Sequence, residues 1–163
     1  MGGKTLSLVV LVAVSVSAAE APSLAEMRMT PGEIAAAAPR DNDQIGSSGV
    51  SGVHTKVVYG DPSKEGFYSI LLYVGPHTTI QSHAHRDNRM ATVVSGEWHF
   101  GYGDHFDASV LKTLPPGSVY SEPAGQTHFA QTAGDAVVVE ICGFGPTDTH
   151  YFDPSNDPQV HAK

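Results

Sequence analysis

The segment at residues 75–96, GPHTTIQSHAHRDNRMATVVSG, carries the pattern of short β-strands separated by turns. Gly75-Pro76 marks a turn, and residues 78–85 after it form one strand-like segment. A second segment, rich in β-branched and aromatic residues, covers residues 91–102, with Ser95-Gly96 as a point where it can break in two. This part of the chain therefore predicts β-strands rather than a helix.

The same pattern continues on both sides of that segment. Further strand-like runs cover residues 53–59, 67–74, 118–122 and 136–142. Turn residues such as Pro115-Pro116-Gly117 separate them, and no helical pattern of ordinary length interrupts the series. Because each strand must bury one face, the sequence predicts an all-β fold, either a sandwich or a small antiparallel β-barrel.

The first 52 residues have a different composition. Residues 6–14 are almost wholly apolar and lead into small residues, which is typical of a secretory signal cleaved after residues 18–21. Thr30-Pro31-Gly32-Glu33 carries a capping residue, a proline and a glutamate in the order that begins a short helix. Residues 40–52 are polar and glycine-rich, and they indicate a loop that leads into the main domain.

We therefore expect an exported protein with a single folded domain. The predicted parts are a signal peptide at residues 1–20, an N-terminal helix and linker at 21–52, a β-barrel at 53–153 and a C-terminal tail at 154–163. Cleavage of the signal would leave a periplasmic or secreted protein with no membrane attachment.

Charge and cysteine content restrict the classes of partner. Seventeen acidic residues against nine lysines and arginines give a net charge of -8, which disfavours nucleic acids and anionic membranes. The single Cys142 excludes an internal disulfide framework and a cysteine-rich zinc site. Nine histidines leave an imidazole-based metal site open, and a small molecule is the expected partner.

Three histidines are candidate metal ligands. Side chains alternate along a strand, so His83 and His85 face the same side, together with Gln81. Two imidazoles on the inner face of a barrel can share one divalent ion. His128 follows the turn Pro123-Ala124-Gly125 and stands near the start of a strand, which makes it a candidate third ligand. Spacing alone favours the alternative, in which these are surface histidines or satisfied core histidines.

These residues stand in two motifs that resemble the signature motifs of the cupins, a superfamily of small β-barrel proteins. The resemblance covers roughly residues 53–153, and the residues in register are His83, His85, Gly96, Gly117, Pro123, Gly125 and His128. It implies a double-stranded β-helix, also called the cupin jelly roll, in a small single-domain cupin of the exported bacterial type. It also implies a three-histidine metal site and allows a homodimer.

The chain departs from the family motif at one important position. Arg89 stands where the cupins carry a glutamate ligand, so three neutral imidazoles would leave the charge of a divalent ion uncompensated. If Arg89 projects inward, its guanidinium could hold a substrate carboxylate or enolate, and if it projects outward it could pair with Asp87. Asp87 is an alternative carboxylate ligand, and Gln81 is a candidate weak ligand, substrate-binding group or hydrogen-bond partner of a ligand imidazole.

Tyr120 and Glu122 share one strand face before the proline turn and are candidate acid–base or substrate-binding groups. Together these features favour a dioxygenase-type oxidoreductase that acts on a small anionic or enolisable molecule through one divalent transition metal. Iron is the expected metal, while zinc, manganese, copper and nickel also suit imidazole ligands. A non-redox isomerase, lyase or decarboxylase and a non-catalytic binding module remain as alternatives.

Overall fold

The computed structural model of the protein describes residues 23–36 and 46–161, so the predicted signal peptide lies outside the described residues. Strands dominate the described part of the chain, and its two α-helices are short. The elements are α1 Pro31–Ala36, β1 Val53–Tyr59, β2 Gly66–Val74, β3 Thr79–Ala84, β4 Arg89–Ser95, β5 Trp98–Tyr102, β6 Lys112–Leu114, β7 Val119–Glu122, β8 His128–Thr132, β9 Val137–Gly145, β10 His150–Tyr151 and α2 Pro158–His161.

The strands form two antiparallel five-stranded sheets that share one core. Their orders are β1-β2-β9-β4-β7 and β10-β3-β8-β5-β6. Alternate residues of β9 face inward, where Val137, Val139 and Ile141 meet Trp98 and Phe100 of the other sheet in one hydrophobic cluster. The predicted all-β jelly roll is therefore confirmed.

Most predicted strands lie where the sequence pattern places them, and the differences are at their ends. The run at 91–102 breaks in two as expected, because Gly96 adopts a φ of 77° and approaches the carbonyl of Ala136. A Cβ at this position would lie 2.4 Å from that carbonyl oxygen. Strand β9 continues to Gly145, beyond the predicted end, and the short strands β6 and β10 were not predicted.

The short N-terminal helix is confirmed, and it begins with a capping box. The Glu33 carboxylate accepts a hydrogen bond from the backbone N–H of Thr30 at 2.7 Å, and the Thr30 hydroxyl accepts one from the backbone N–H of Glu33 at 3.3 Å. Lys56 of β1 donates to the backbone carbonyls of Ile34 and Ala35, which attaches the helix to the first sheet. No helix in the described ranges is long and apolar enough to span a membrane.

The segment before β1 is more than the connecting loop that its composition predicts. Gly46, Ser47 and Ser48 are buried, so this part of the chain packs against the barrel instead of only leading into it. We call residues 46–50 the strap. The C-terminal tail is also folded, as a short 3-10 helix at Pro154–Asn156 followed by α2.

Candidate metal centre

The three predicted histidines converge inside the barrel. His83 in β3 lies directly opposite His128 in β8, and His85 follows the end of β3. All three side chains are buried, and one ring nitrogen from each lies within 4.8 Å of the others. The structure therefore brings together the residues that the motif spacing selected.

A bulge in β3 determines which side chains accompany the histidines. The register between β3 and β8 shifts between Ile80 and His83, so strict alternation fails at this point. Ile80 lines the interior beside His83, whereas Gln81 is half-buried and is not among the residues that line this cavity. The expectation that Gln81 shares the inward face is wrong, and its contribution to the centre is its backbone carbonyl.

Backbone carbonyls fix the protonation of the three imidazole rings. Nδ1 of His83, His85 and His128 donates to the carbonyls of residues 81, 148 and 126, at 2.7, 2.5 and 3.1 Å respectively. A carbonyl can only accept, so each proton sits on Nδ1 and each Nε2 carries a lone pair. Nε2 of His85 and of His128 is buried without a hydrogen-bond partner among the described residues. Lone pairs held in this way are suited to a divalent transition metal.

Burial also keeps these rings neutral at physiological pH. It lowers the pKa of His83 to about 3, with a further contribution from the neighbouring His128. Burial, followed by the positive charge of Arg89, holds the pKa of His85 well below its usual value, and burial lowers the pKa of His128 as well. Neutral imidazole is the form that binds metals, so the centre needs no deprotonation step at pH 7.

Arg89 projects inward, and its partner is a carboxylate that the sequence did not pair with it. It lies directly opposite Glu122 across strands β4 and β7, and both side chains are buried. Its Nε donates to Oε2 of Glu122 at 2.5 Å, and Nη2 contacts the same oxygen. Nη1 donates to the carbonyl of Gly46 in the strap at 3.3 Å. The alternative in which Arg89 faces outward and pairs with Asp87 is wrong.

Glu122 lies beside the histidines as a charged carboxylate. Its Oε2 is 3.7 Å from Nε2 of His85, and its Oε1 is 3.8 Å from Nε2 of His128. Burial is the largest influence on the pKa of Glu122 and would raise it, but the charge of Arg89, the neighbouring His128 and His83 and the hydrogen bond from Arg89 together hold that pKa below its usual value. The interior therefore contains a carboxylate next to the imidazoles, although it comes from β7 and not from the motif position.

Tyr120 and Asp87, the other two candidates from the sequence, have different partners in the barrel. The Tyr120 ring packs on Phe100 with a centroid separation of 4.2 Å, and burial followed by the charge of Glu122 raises the pKa of Tyr120 well above its usual value. Asp87 accepts hydrogen bonds from the hydroxyls of Tyr68 and Thr147, both at 2.6 Å. Asp87 is therefore engaged in the barrel wall and does not join the histidine cluster.

The cavity next to the histidines is small and lined by buried side chains. Its volume is about 20 Å³, which is room for about one water molecule. Ser48 of the strap lines it, and the strap is held by Thr149 and Tyr151, whose hydroxyls donate to the carbonyls of Ser47 and Ser48 at 3.0 and 2.5 Å. The sequence did not indicate that the strap packs over this cavity, because small polar residues are equally typical of a packed segment and of a free loop.

Known structures share this architecture at low sequence identity. No protein-family profile matches the sequence, and neither does any curated protein. The polyketide cyclase RemF from Streptomyces resistomycificus superposes with a TM-score of 0.62 at 15% identity, over 82% of this chain and 90% of the cyclase. A sugar phosphate isomerase of the cupin superfamily from Silicibacter pomeroyi superposes with a TM-score of 0.50 at 14% identity, over 64% of this chain and 68% of the isomerase.

A third similar structure is the DMSP lyase DddQ from Ruegeria pomeroyi, with a TM-score of 0.49 at 17% identity. The match covers 57% of this chain but only 47% of the lyase, so this chain spans about half the length of that protein. Identities at this level report the fold alone. The two antiparallel sheets and the superpositions on the cyclase and on the cupin-superfamily isomerase show that the chain has the cupin fold.

Proposed function

We propose that the protein is a metal-dependent enzyme in which His83, His85 and His128 hold one divalent transition metal. The observation that carries this proposal is the pair of buried Nε2 atoms, on His85 and His128, that have no hydrogen-bond partner among the described residues. Leaving buried polar atoms without partners is costly, and these two, unlike the Thr55 Oγ1 and Trp98 Nε1 atoms that also lack partners in the described part of the chain, belong to one cluster of three histidines. A metal supplies the missing partner and, when bound, contributes Lewis acidity or redox chemistry.

The charge of the centre favours an anionic substrate. Arg89 and Glu122 cancel each other, and the three imidazoles are neutral, so a divalent ion would keep its full charge inside a buried cavity. A small carboxylate or enolate would compensate that charge. Iron is the metal that we favour, with dioxygen as co-substrate, because three neutral imidazoles suit iron and leave coordination positions for oxygen and for an anionic substrate.

The side chains around the histidines have different protonation states. Tyr120 stays a neutral phenol because burial raises its pKa, so its hydroxyl can donate a hydrogen bond to an oxygen of a substrate. Glu122 is ionised, and its Oε2 is engaged by Arg89. The cavity is too small for an organic substrate in this conformation, so substrate access requires a conformational change around it.

The test is oxygen consumption by the iron-loaded protein with small 2-oxo acids and 1,3-dicarbonyl compounds, which are simple enolisable molecules with chelating oxygens. We expect substrate-dependent oxygen uptake that is lost in the His83→Ala/His128→Ala variant. Conversion of a substrate without oxygen uptake would replace this proposal with a non-redox isomerase, lyase or decarboxylase.

The small cavity also supports a second candidate, a non-catalytic metal-binding module. A centre without room for a substrate is the geometry of a storage or structural site. The two candidates differ in whether an external ligand can reach the metal. Azide should change the absorption spectrum of the Co²⁺-loaded protein if the centre is open to small anions, and should leave it unchanged if the metal is sealed.

Export remains part of the proposal and is supported only by the apolar residues 6–14 and the small residues after them. Intact mass measurement on protein recovered from the periplasm or medium would show a chain that begins between residues 19 and 22. Recovery of the uncleaved chain in the cytoplasm would contradict export.

A further inference from the structure

We propose that Glu122 is the fourth protein ligand of the metal centre and supplies, from strand β7, the carboxylate that is missing at residue 89. Arg89 is then a positioning residue, which holds Glu122 and does not bind substrate. This inference rests on the proposed three-histidine centre, and its test distinguishes a failure of Glu122 as a ligand from a failure of the centre itself.

The distances place Glu122 beside two of the three histidines. With metal–ligand bonds of about 2.0–2.2 Å, two ligand atoms in tetrahedral arrangement lie about 3.3–3.6 Å apart. Oε2 of Glu122 lies 3.7 Å from Nε2 of His85, and Oε1 lies 3.8 Å from Nε2 of His128. Both separations are close to that tetrahedral value, and both are shorter than the 4.8 Å within which the three histidine nitrogens lie of one another.

The two carboxylate oxygens of Glu122 have different surroundings. Both Nε and Nη2 of Arg89 contact Oε2, while Oε1 is the oxygen directed toward His128. A carboxylate anchored through one oxygen can bind an ion through the other with little loss of conformational freedom. Ligating carboxylates are usually anchored by hydrogen bonds in this way.

Strand pairing explains how a carboxylate in β7 can replace one in β4. The two strands are antiparallel neighbours, and residue 89 is paired with residue 122. Their side chains enter the same part of the interior, so a carboxylate on either strand can reach the histidines. In this chain Arg89 therefore stands at the position of the cupin motif glutamate, and Glu122 lies opposite it.

A purely structural role would not explain why the Arg89–Glu122 ion pair lies beside the three histidines. A buried ion pair is often no more stabilising than a hydrophobic pair of similar size, so stability alone gives little reason to retain it. Asp87 shows the structural alternative within the same barrel, because two hydroxyls satisfy its oxygens. Glu122 instead faces the two buried Nε2 atoms that lack partners.

The test is a Co²⁺ titration of the full chain, in which the dissociation constant and the visible d–d spectrum are both measured. The variants are Glu122→Gln and the matched control Glu140→Gln, which removes a half-buried carboxylate on β9 that bonds Ser69 and does not line the centre. We expect Glu122→Gln to weaken Co²⁺ binding by about 100-fold or more and to change the spectrum, because the loss of a ligand exceeds the usual 10–100-fold effect of an outer partner. Glu140→Gln should match the wild type.

Two results would overturn the inference while keeping the centre. One is wild-type affinity in Glu122→Gln, and the other is weaker binding with an unchanged spectrum, which would make Glu122 an outer partner only. Failure of the wild type to bind Co²⁺ would overturn both the centre and the ligand. If Glu122→Gln fails to fold because Arg89 loses its partner, the uncharged Arg89→Gln/Glu122→Gln pair gives the same measurement, and thermal unfolding confirms that the variant is folded.

Discussion

Arg89 and Glu122 form a buried ion pair directly across strands β4 and β7, at the edge of the histidine cluster. In the metal-free protein we expect Arg89→Met to lower the free energy of unfolding by about 3–5 kcal/mol, because it leaves a buried carboxylate without its partner. The double variant Arg89→Met/Glu122→Leu should recover most of that loss. Urea denaturation in the presence of a chelator measures both, and a loss below about 1 kcal/mol in the single variant would contradict the description of this pair as buried and coupled.

The depressed histidine pKa values predict how the stability of the metal-free protein depends on pH. The pKa of His83 is about 3 in the folded state, against about 6.5 in an unfolded chain. Between these values the unfolded chain binds a proton at residue 83 and the folded protein does not. Acid therefore favours unfolding, and the contribution is fully present above pH 6.5 and is lost as the pH falls.

We expect this stability loss to be about 1.4 kcal/mol per pH unit for each histidine that titrates in this way. The midpoints of urea denaturation at pH 7.5 and 5.5, measured on the metal-free protein in the presence of a chelator, give this stability loss. His83→Gln should reduce the difference between the two midpoints, while His54→Gln, which changes an exposed histidine of β1, should leave it unchanged. An equal difference in His83→Gln and the wild type would contradict the assignment.

Close packing around Gly143 predicts a specific cost for adding one methyl group. A Cβ at this position would lie 2.5 Å from the Tyr68 hydroxyl oxygen and 2.7 Å from Oδ2 of Asp87. We expect Gly143→Ala to separate these two groups and to destabilise the protein by about 1–3 kcal/mol. Gly134→Ala is the matched control, since a Cβ there meets nothing within 4 Å, and thermal unfolding should show little change in it. Equal stability of the two variants would contradict the packing described for this wall.

The strap predicts how fast a bound metal can leave. Tyr151 holds it through a hydrogen bond from its hydroxyl to the carbonyl of Ser48 at 2.5 Å. Removing that bond in Tyr151→Phe costs about 1 kcal/mol, so we expect Co²⁺ to be lost to an external chelator about fivefold faster. Tyr102→Phe is the control, because it removes a tyrosine hydroxyl that bonds the carbonyl of Ser121 on the exposed surface. Equal release rates in the two variants would show that the strap does not control access.

Short-range sequence patterns predicted the strands, and together with the family resemblance they predicted the fold and the histidine cluster. Strand β1 has the predicted bounds, and the H-x-H spacing correctly placed His83 and His85 together inside the barrel. His128 was placed through the turn that precedes it and through the family motif. These features depend on strand alternation and turn chemistry, which nearby residues determine.

The features that were missed depend on contacts between distant segments. Glu122 is 33 residues from Arg89, and only the register of β4 against β7 places them opposite each other. The bulge in β3 moved Gln81 off the inward face, and bulges leave no reliable mark in a single sequence. The strap contacts residues about a hundred positions away, from Ser47 to Thr149 and from Ser48 to Tyr151.

The central claim is that His83, His85 and His128 hold one metal ion, and metal content tests it most directly. Elemental analysis of the protein purified from its own compartment, beside the His83→Ala/His128→Ala variant, gives the stoichiometry. The account predicts about one divalent transition metal ion per wild-type chain, and a folded double-histidine variant that has lost it. A wild-type protein that takes up no metal even on reconstitution, or a double variant with unchanged metal content, would contradict the account.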